Sequence, residues 1–122
     1  MHDMRDSSEN YLEAIFVLHK QTGHVRSIDI ANHLDLSRPS VSKAMKKLEE
    51  SGHIVMEADG EIVLTESGLR IGREIDDRHQ TLLKLLIHIG VSEDIAEEDA
   101  CKIEHALSKE TFAALKAFLP EE

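Results

Sequence analysis

A mainly α-helical chain is what the sequence predicts, and three observations predict it. Apolar residues recur at three- and four-residue spacing in six segments. A single segment, Ile54 to Thr65, changes to alternation, around the turn-forming pair Asp59-Gly60. Hydrophobic residues make up 41% of 122 residues, enough for a buried core, yet no apolar run approaches the ~20 residues a membrane span requires.

The first helix is predicted from about Ser7 to Gln21. Asp6 and Glu9 stand at capping-box spacing, Leu12, Ile15, Phe16 and Leu18 give an apolar face, and Gly23 supplies a stop. Asn10 and Glu13 lie three apart on the rim of that face and can address one point. A short second helix follows from Ser27 to Leu34, with Ile28, Ile30, Ala31 and Leu34 apolar, and Asp35-Leu36-Ser37 turns the chain. The third helix runs from Arg38 to about Ser51. Ser37 is a good N-cap, and Pro39 is tolerated in a first turn that needs no backbone donor. Val41, Ala44, Met45 and Leu48 form its buried stripe, Ser40, Ser42, Lys43, Lys46 and Lys47 lie off it, and Gly52 ends it. In the hairpin, Ile54 and Met56 stand two apart, Ile62 and Leu64 stand two apart on the return, and Asp59-Gly60 reads as a two-residue turn. Thr65 caps a long fourth helix, Glu66 to Ile89. Its inward face is Leu69, Ile71, Ile75, Leu82, Leu83, Leu86 and Ile89, with His79 set among them, and Gly90 ends it. Ser92, Glu93 and Asp94 open a fifth helix reaching about Leu107. Ser108 caps a last helix, Lys109 to Leu119, with Pro120 beyond its end.

Three helices followed by a hairpin make a winged helix-turn-helix, here residues 1–65. Residues 66–122 form an α-helical second domain. In such a motif the second helix of the turn enters the major groove of double-stranded DNA. Ser37, Arg38, Pro39, Ser40, Ser42 and Lys43 are placed to face it, with Lys46 and Lys47 extending the basic face. Arg38 and Lys43 can donate to phosphate or guanine edges, and the serines to either. The formal net charge of −10 argues against nucleic acid only if charge is evenly spread. From Ser37 to Leu48 there are four cations and no acid, whereas from Asp76 onward there are five basic and eleven acidic residues. The wing tip, with Glu57, Asp59 and Glu61, is acidic and poorly suited to gripping a phosphate backbone. A winged helix can also serve as a protein-binding module, in which case the basic face is only solvated surface. Single domains of this kind bind weakly and palindromic half-sites require a dimer, so the helical domain is expected to carry a homodimer interface. Val91, Ile95, Phe112, Leu115 and Phe118 are candidates for it.

The one cysteine, Cys101, is followed by a carboxylate three residues on, Glu104, and an imidazole four residues on, His105. On a helix these share a face, and each is a ligand type for a divalent transition metal. Alone the trio is one that any helix can carry by chance. Glu97, Glu98 and Asp99 read as a solvated face that could add a weak site. A single cysteine allows no internal disulfide, and the polar N-terminus from Met1 to Asp6 has no signal-peptide core, so a cytoplasmic location is expected.

Several stretches together resemble the iron- and manganese-dependent repressors related to the diphtheria toxin repressor and the manganese transport regulator. They are Ser8-Glu9-Asn10-Tyr11-Leu12-Glu13-Ala14-Ile15, Ile28-Asp29-Ile30-Ala31 with Ser40-Val41-Ser42, Leu64-Thr65 with Gly68, Arg78-His79, and Ala100-Cys101-Lys102-Ile103-Glu104-His105. The resemblance covers nearly the whole chain. It implies a homodimeric repressor of metal-uptake genes whose corepressor is a metal, with no membrane association, no organic cofactor and no enzymatic activity. It places the ligands on Asn10, Glu13, His79, Cys101, Glu104 and His105. Manganese-responsive members carry acidic residues at the positions of Asn10 and Cys101, whereas iron-responsive members carry Met and Cys there, so this chain is a hybrid. Leu83 stands where iron-responsive members place an ancillary ligand, so that second site is expected to be missing. Larger members append a small SH3-like β-barrel, and this chain is expected to be the short form without it.

With Cys101 as thiolate beside Glu13 and Glu104, three negative charges surround the ion. One divalent metal leaves a net −1 and two leave +1. Thiolate favours Fe(II), Co(II), Zn(II) or Cd(II) over Mg(II) and Ca(II), and the carboxylates keep Mn(II) in range. Mn(II) or Fe(II) is therefore the expected corepressor, with Zn(II), Co(II) and Cd(II) binding in vitro. Two other readings stand beside it: a winged-helix regulator sensing an oxidant or organic ligand through Cys101, and a metallohydrolase with Glu104 as base. For the second the sequence supplies no HExxH motif.

Overall fold

The computed structural model describes residues 4–119, with side-chain surroundings from Ser8 onward. The order is α1 (Met4–Thr22), α2 (Ser27–Leu34), α3 (Arg38–Glu50), β1 (Ile54–Met56), β2 (Ile62–Leu64), α4 (Glu66–His88), α5 (Glu93–Ile103) and α6 (Lys109–Phe118). Two compact units divide within α4, Met1–Glu74 and Ile75–Glu122. Among the described residues, no helix is long and apolar enough to cross a membrane.

In the first unit α1 starts at Met4, earlier than the expected Ser7. Asp6 is therefore inside the first turns and not at the cap, so the expected capping box is not the start signal. An acidic residue is also favourable inside the first turn, because it opposes the positive end of the helix dipole. The side chain of Asp6, like Pro120, lies outside the described residues. Gly23 ends α1 at φ +80°, donating to the His19 carbonyl at 2.9 Å. Asp35 ends α2 at φ +55°, a conformation that short polar side chains tolerate. In α3, Ser37 caps by accepting from the Ser40 N–H at 3.3 Å, and Glu50, one residue short of Ser51, is its last residue.

The hairpin pairs Ile54 with Leu64, Val55 with Val63 and Met56 with Ile62. Its turn is not the expected two-residue Asp59-Gly60. Glu57 receives the Gly60 N–H at 2.9 Å and donates to Glu61 at 2.8 Å, so Ala58, Asp59 and Gly60 form a three-residue connection. Only Gly60 is left-handed, at φ +89°. A two-residue turn of the favoured type needs positive φ at both central residues, and Asp59 does not adopt it.

The core of this unit is Leu12, Ile15, Leu18, Val25, Ile30, Ala31, Val41, Met45, Leu48, Ile54 and Ile62. Each large aliphatic side chain buried there is worth about 1.5–3 kcal/mol of removal from water. Ile28, expected among the apolar positions of α2, is 39% exposed. The wing is tied down by Ile62 donating to Val25 at 2.8 Å, and by Thr65 donating from its backbone N–H to the His53 carbonyl and from its hydroxyl to the Gly52 carbonyl. Thr65 also caps α4, accepting from the Gly68 N–H at 3.3 Å. The first turns of α4 pack close because two residues have no side chain. A Cβ on Gly68 would collide with the His53 carbonyl oxygen, and one on Gly72 would lie 2.8 Å from the Leu12 carbonyl oxygen.

In the second unit Ile75, Leu82 and Leu85 of α4 are buried together with Ala96 and Ala100 of α5. Leu83 and Leu86 are half-buried, and Leu85 takes the inward place the sequence reading had not given it. Ile89 lies past the end of α4 and is 64% exposed, against expectation. No residue of α6 is fully buried. It is held by Lys116 on Asp77 at 2.7 Å and by Phe112 beneath the Arg78 guanidinium.

Gly72→Ala is expected to lower stability by about 1–3 kcal/mol, because it overpacks backbone against backbone. Thermal or denaturant unfolding of the variant measures it, and an unchanged transition would contradict the close approach.

Candidate metal centre

His79 reaches inward from α4 with 7% of its surface exposed, and groups from α5 and the turn after it converge on it. Its Nδ1–H donates to Glu104 Oε2 at 2.9 Å, and Cys101 Sγ lies 3.9 Å from the same nitrogen. Its Nε2 lies 2.8 Å from Glu97 Oε1. Glu104 is 1% exposed, and its other oxygen meets His105 Nε2 at 3.2 Å. Ala96 and Ala100 face inward one turn apart on α5 and are fully buried, and small residues there let the helix approach α4 closely. Glu97 and Cys101 are their successors along the same helix, which is why both meet His79.

This differs from one helix face carrying Cys101, Glu104 and His105. α5 ends at Ile103, not near Leu107, and Glu104 is its C-cap. Cys101 stays exposed while Glu104 is buried. The chain keeps turning because Glu104 donates to the Ala100 carbonyl at 3.1 Å and Ala106 to Ile103 at 3.0 Å. Arg78 then fixes the turn from outside. Its Nη1 donates to the carbonyls of Glu104 at 3.1 Å and Leu107 at 2.6 Å, with Phe112 against the guanidinium. The contacts of two further residues were not foreseen. Glu97 looked like solvated surface, and its helical spacing of four from Cys101 was the available signal. Arg78 stood in the Arg78-His79 motif, but its role gave no signal, because its targets are main-chain carbonyls.

The electrostatics follow from this crowding. The Cys101 sulfur and the Glu104 carboxylate, both on Nδ1, push His79 up to about 11 against the opposing effect of burial. A proton on His79 thus occupies the place of a cation among three acidic groups. The ligand atoms of His79, Glu97 and Cys101 lie within 4.8 Å of one another, a spacing that one ion can span. Sulfur, carboxylate and imidazole are the donors a first-row divalent ion takes. Asn10 and Glu13 are half-buried on α1, three residues apart, in the first unit.

On α3, Ser37, Arg38, Pro39, Ser40, Ser42, Lys43, Lys46 and Lys47 are all exposed, and Val41, Met45 and Leu48 are buried behind them. The acidic wing tip is partly neutralised. Arg26 reaches Asp59 at 3.6 Å, and His24 reaches Glu61 at 2.9 Å.

Two family descriptions match this chain. Residues 3–62 match the N-terminal DNA-binding domain of iron-dependent repressors, and residues 65–121 match their metal-binding and dimerisation domain. An uncharacterised helix-turn-helix transcriptional regulator of Methanocaldococcus jannaschii is 36% identical over 118 residues, covering 95% of this chain and 94% of its own. The transcriptional regulator MntR of Escherichia coli O157:H7 is 36% identical over 114 residues, covering 93% of this chain and 74% of its own. A manganese-dependent transcriptional repressor solved in complex with manganese superposes with a TM-score of 0.84 at 27% identity. That match covers 92% of this chain, which spans about half the length of that repressor, 52%.

Three outcomes are expected from the geometry. Divalent metal binding at neutral pH displaces the His79 proton, so affinity rises with pH. Calorimetry in buffers of different ionisation enthalpy reads the released proton. In the metal-free protein the imidazolium contributes stability fully below about pH 6.5, and loses it as pH climbs toward 11. Arg78→Ala leaves the Glu104 and Leu107 carbonyls without their donor and is expected to weaken metal binding about 10-fold or more, as loss of an outer partner does. Metal titration of that variant checks it.

Proposed function

This chain belongs to the family of iron-dependent repressors, metal-dependent DNA-binding regulators of transcription, and on that premise we propose that its corepressor is Mn(II) or Fe(II). The single observation that carries the metal assignment is the buried Glu104 carboxylate set between two imidazoles, with Cys101 and Glu97 converging on one of them. We assign His79, Cys101, Glu104 and His105 as ligands on the chemistry of that cluster. Asn10 and Glu13 are assigned to the ligand set by the family resemblance of the first-helix motif. The bound ion supplies positive charge that the acidic cluster otherwise takes from protons. Manganese is favoured by the carboxylates and by the manganese complex of the similar repressor, and iron by the Cys101 sulfur. Zn(II), Co(II) and Cd(II) fit the same donors in vitro.

The exposed face of α3 reads double-stranded DNA. Ser37, Arg38, Pro39, Ser40, Ser42 and Lys43 contact the groove, and Lys46 and Lys47 add charge toward phosphate. Ile87, Ile89, Ile95, Ile103 and Phe118 are large apolar residues left exposed in the second unit and supply the homodimer interface that a palindromic operator requires. Phe112, also considered for that interface, instead lies against Arg78 and Lys116. Metal binds the DNA-competent arrangement more tightly than the other and shifts the population toward it. Genes for metal uptake are the expected targets, since a corepressor metal closes a feedback loop on its own supply.

Metal is expected to raise operator affinity by about 5–150-fold, the usual range of coupling between two sites. Glu104→Gln and Glu104→Ala are expected to abolish that gain while unfolding remains cooperative. DNA-binding titrations with Mn(II), Fe(II) and Zn(II) under anaerobic conditions test it. A full metal response in both variants would overturn the ligand assignment.

A further inference from the structure

Within the first unit, a half-open cleft of about 280 Å³ separates α1 from α3. Ser8 and Tyr11 of α1 form one wall, Ser40, Lys43 and Lys47 of α3 the other, and Ala44 and Leu48 the floor. The cations on the exposed face of α3 are thus of two kinds. Lys43 and Lys47, one turn apart, border the cleft, while Arg38 and Lys46 do not. Among the described residues, the side chains of Ser8, Tyr11, Lys43 and Lys47 have no hydrogen-bond or ion-pair partner. Ser40 accepts the Ser37 hydroxyl at 2.9 Å, which leaves its own O–H to give. No acidic side chain lines the cleft. Burial pushes Tyr11 above its ordinary range, so the phenol keeps its proton and can donate. Two ammonium groups and three hydroxyls, all donors and all uncommitted, make a receptor for a tetrahedral oxyanion.

We propose that this cleft holds one phosphodiester of the DNA backbone, with Ser8 and Tyr11 of α1 completing a seat whose charge comes from Lys43 and Lys47 of α3. This rests on the DNA-binding reading of α3 and adds α1 to it. The neighbouring groove-facing residues, Ser40 and Lys43 among them, already bring the duplex edge to this side of the helix, so the nearest anion in a complex is a backbone phosphate. A phosphate seated there fixes how far α3 advances along the groove without reading a base.

The test uses the full chain with Mn(II), and a mixed-sequence duplex of about 25 base pairs, long enough to span two half-sites one helical turn apart. Anisotropy titrations over a salt series give affinity and salt slope. Tyr11→Phe and Ser8→Ala each remove one neutral donor. They are expected to weaken binding about 3- to 10-fold while the salt slope stays as in wild type, since neither removes a charge. Lys43→Gln and Lys47→Gln are expected to lower the slope by about one each. A duplex in which single phosphates are replaced by neutral methylphosphonates locates the contact: at one position the Tyr11→Phe penalty disappears. Inorganic phosphate, titrated into DNA-free protein and read by the amide shifts of Ser8, Tyr11 and Ser40, reports the free anion as an alternative occupant. The proposal is overturned if both hydroxyl variants bind DNA as wild type does, including the case where free phosphate still shifts the cleft. Wild-type protein that fails to bind duplex with Mn(II) would instead overturn the repressor reading, so the two failures are distinct.

Discussion

Glu104 is a carboxylate with 1% of its surface exposed, and a charge buried that deeply costs several kcal/mol unless it is paired. The second unit is arranged to pair it. His79 takes one oxygen and His105 the other. The approach of α5 to α4 through Ala96 and Ala100 brings the partners into range, and the end of α5 at Ile103 turns the carboxylate inward. Arg78 spends its guanidinium on the two carbonyls that flank this turn, which leaves the turn little freedom. Removing either imidazole takes one partner from a buried charge, and removing Arg78 takes a donor from two part-buried carbonyls.

The same constraint explains why the site suits a cation. Cys101, Glu97 and Glu104 present acidic groups to one imidazole, and the imidazole answers by holding its proton far above the usual range. A proton is a small cation available everywhere. A divalent ion offers more charge and accepts several ligands at once, so it competes when the protons are removed. A proton and a divalent ion would therefore compete for the same acidic cluster. Sulfur, carboxylate and imidazole together form a donor set that first-row divalent ions accept.

The first unit meets a different demand. It must present a basic helix from a chain of net charge −10. It does so by spacing: α3 carries its cations on one exposed face, and the acids of the wing tip are drawn onto Arg26 and His24. Gly68 and Gly72 allow α4 to start against the backbone of this unit, where any side chain would hold it off. The wing, pinned by Ile62 to Val25 and by Thr65 to Gly52 and His53, is thereby fixed to the core that orients α3.

The sequence by itself determined the winged helix-turn-helix, the six helices and the exposed basic face of α3, because each depends on local periodicity, a cap or a turn residue. Ser37, Thr65 and Ser108 cap where their side chains reach the N–H three residues on, and that is a short-range matter. It also singled out His79, Cys101, Glu104 and His105, through ligand chemistry and a family resemblance. Only the tertiary structure decided how these four meet. The spacing of 101, 104 and 105 suggested one helix face, but the helix stops at Ile103, and the Glu104 carboxylate turns inward between two imidazoles while Cys101 stays exposed. The contacts of Glu97 and Arg78 were hidden in the same way. One acts on a ring from another helix and the other on carbonyls, and neither kind of partner leaves a pattern in the order of residues.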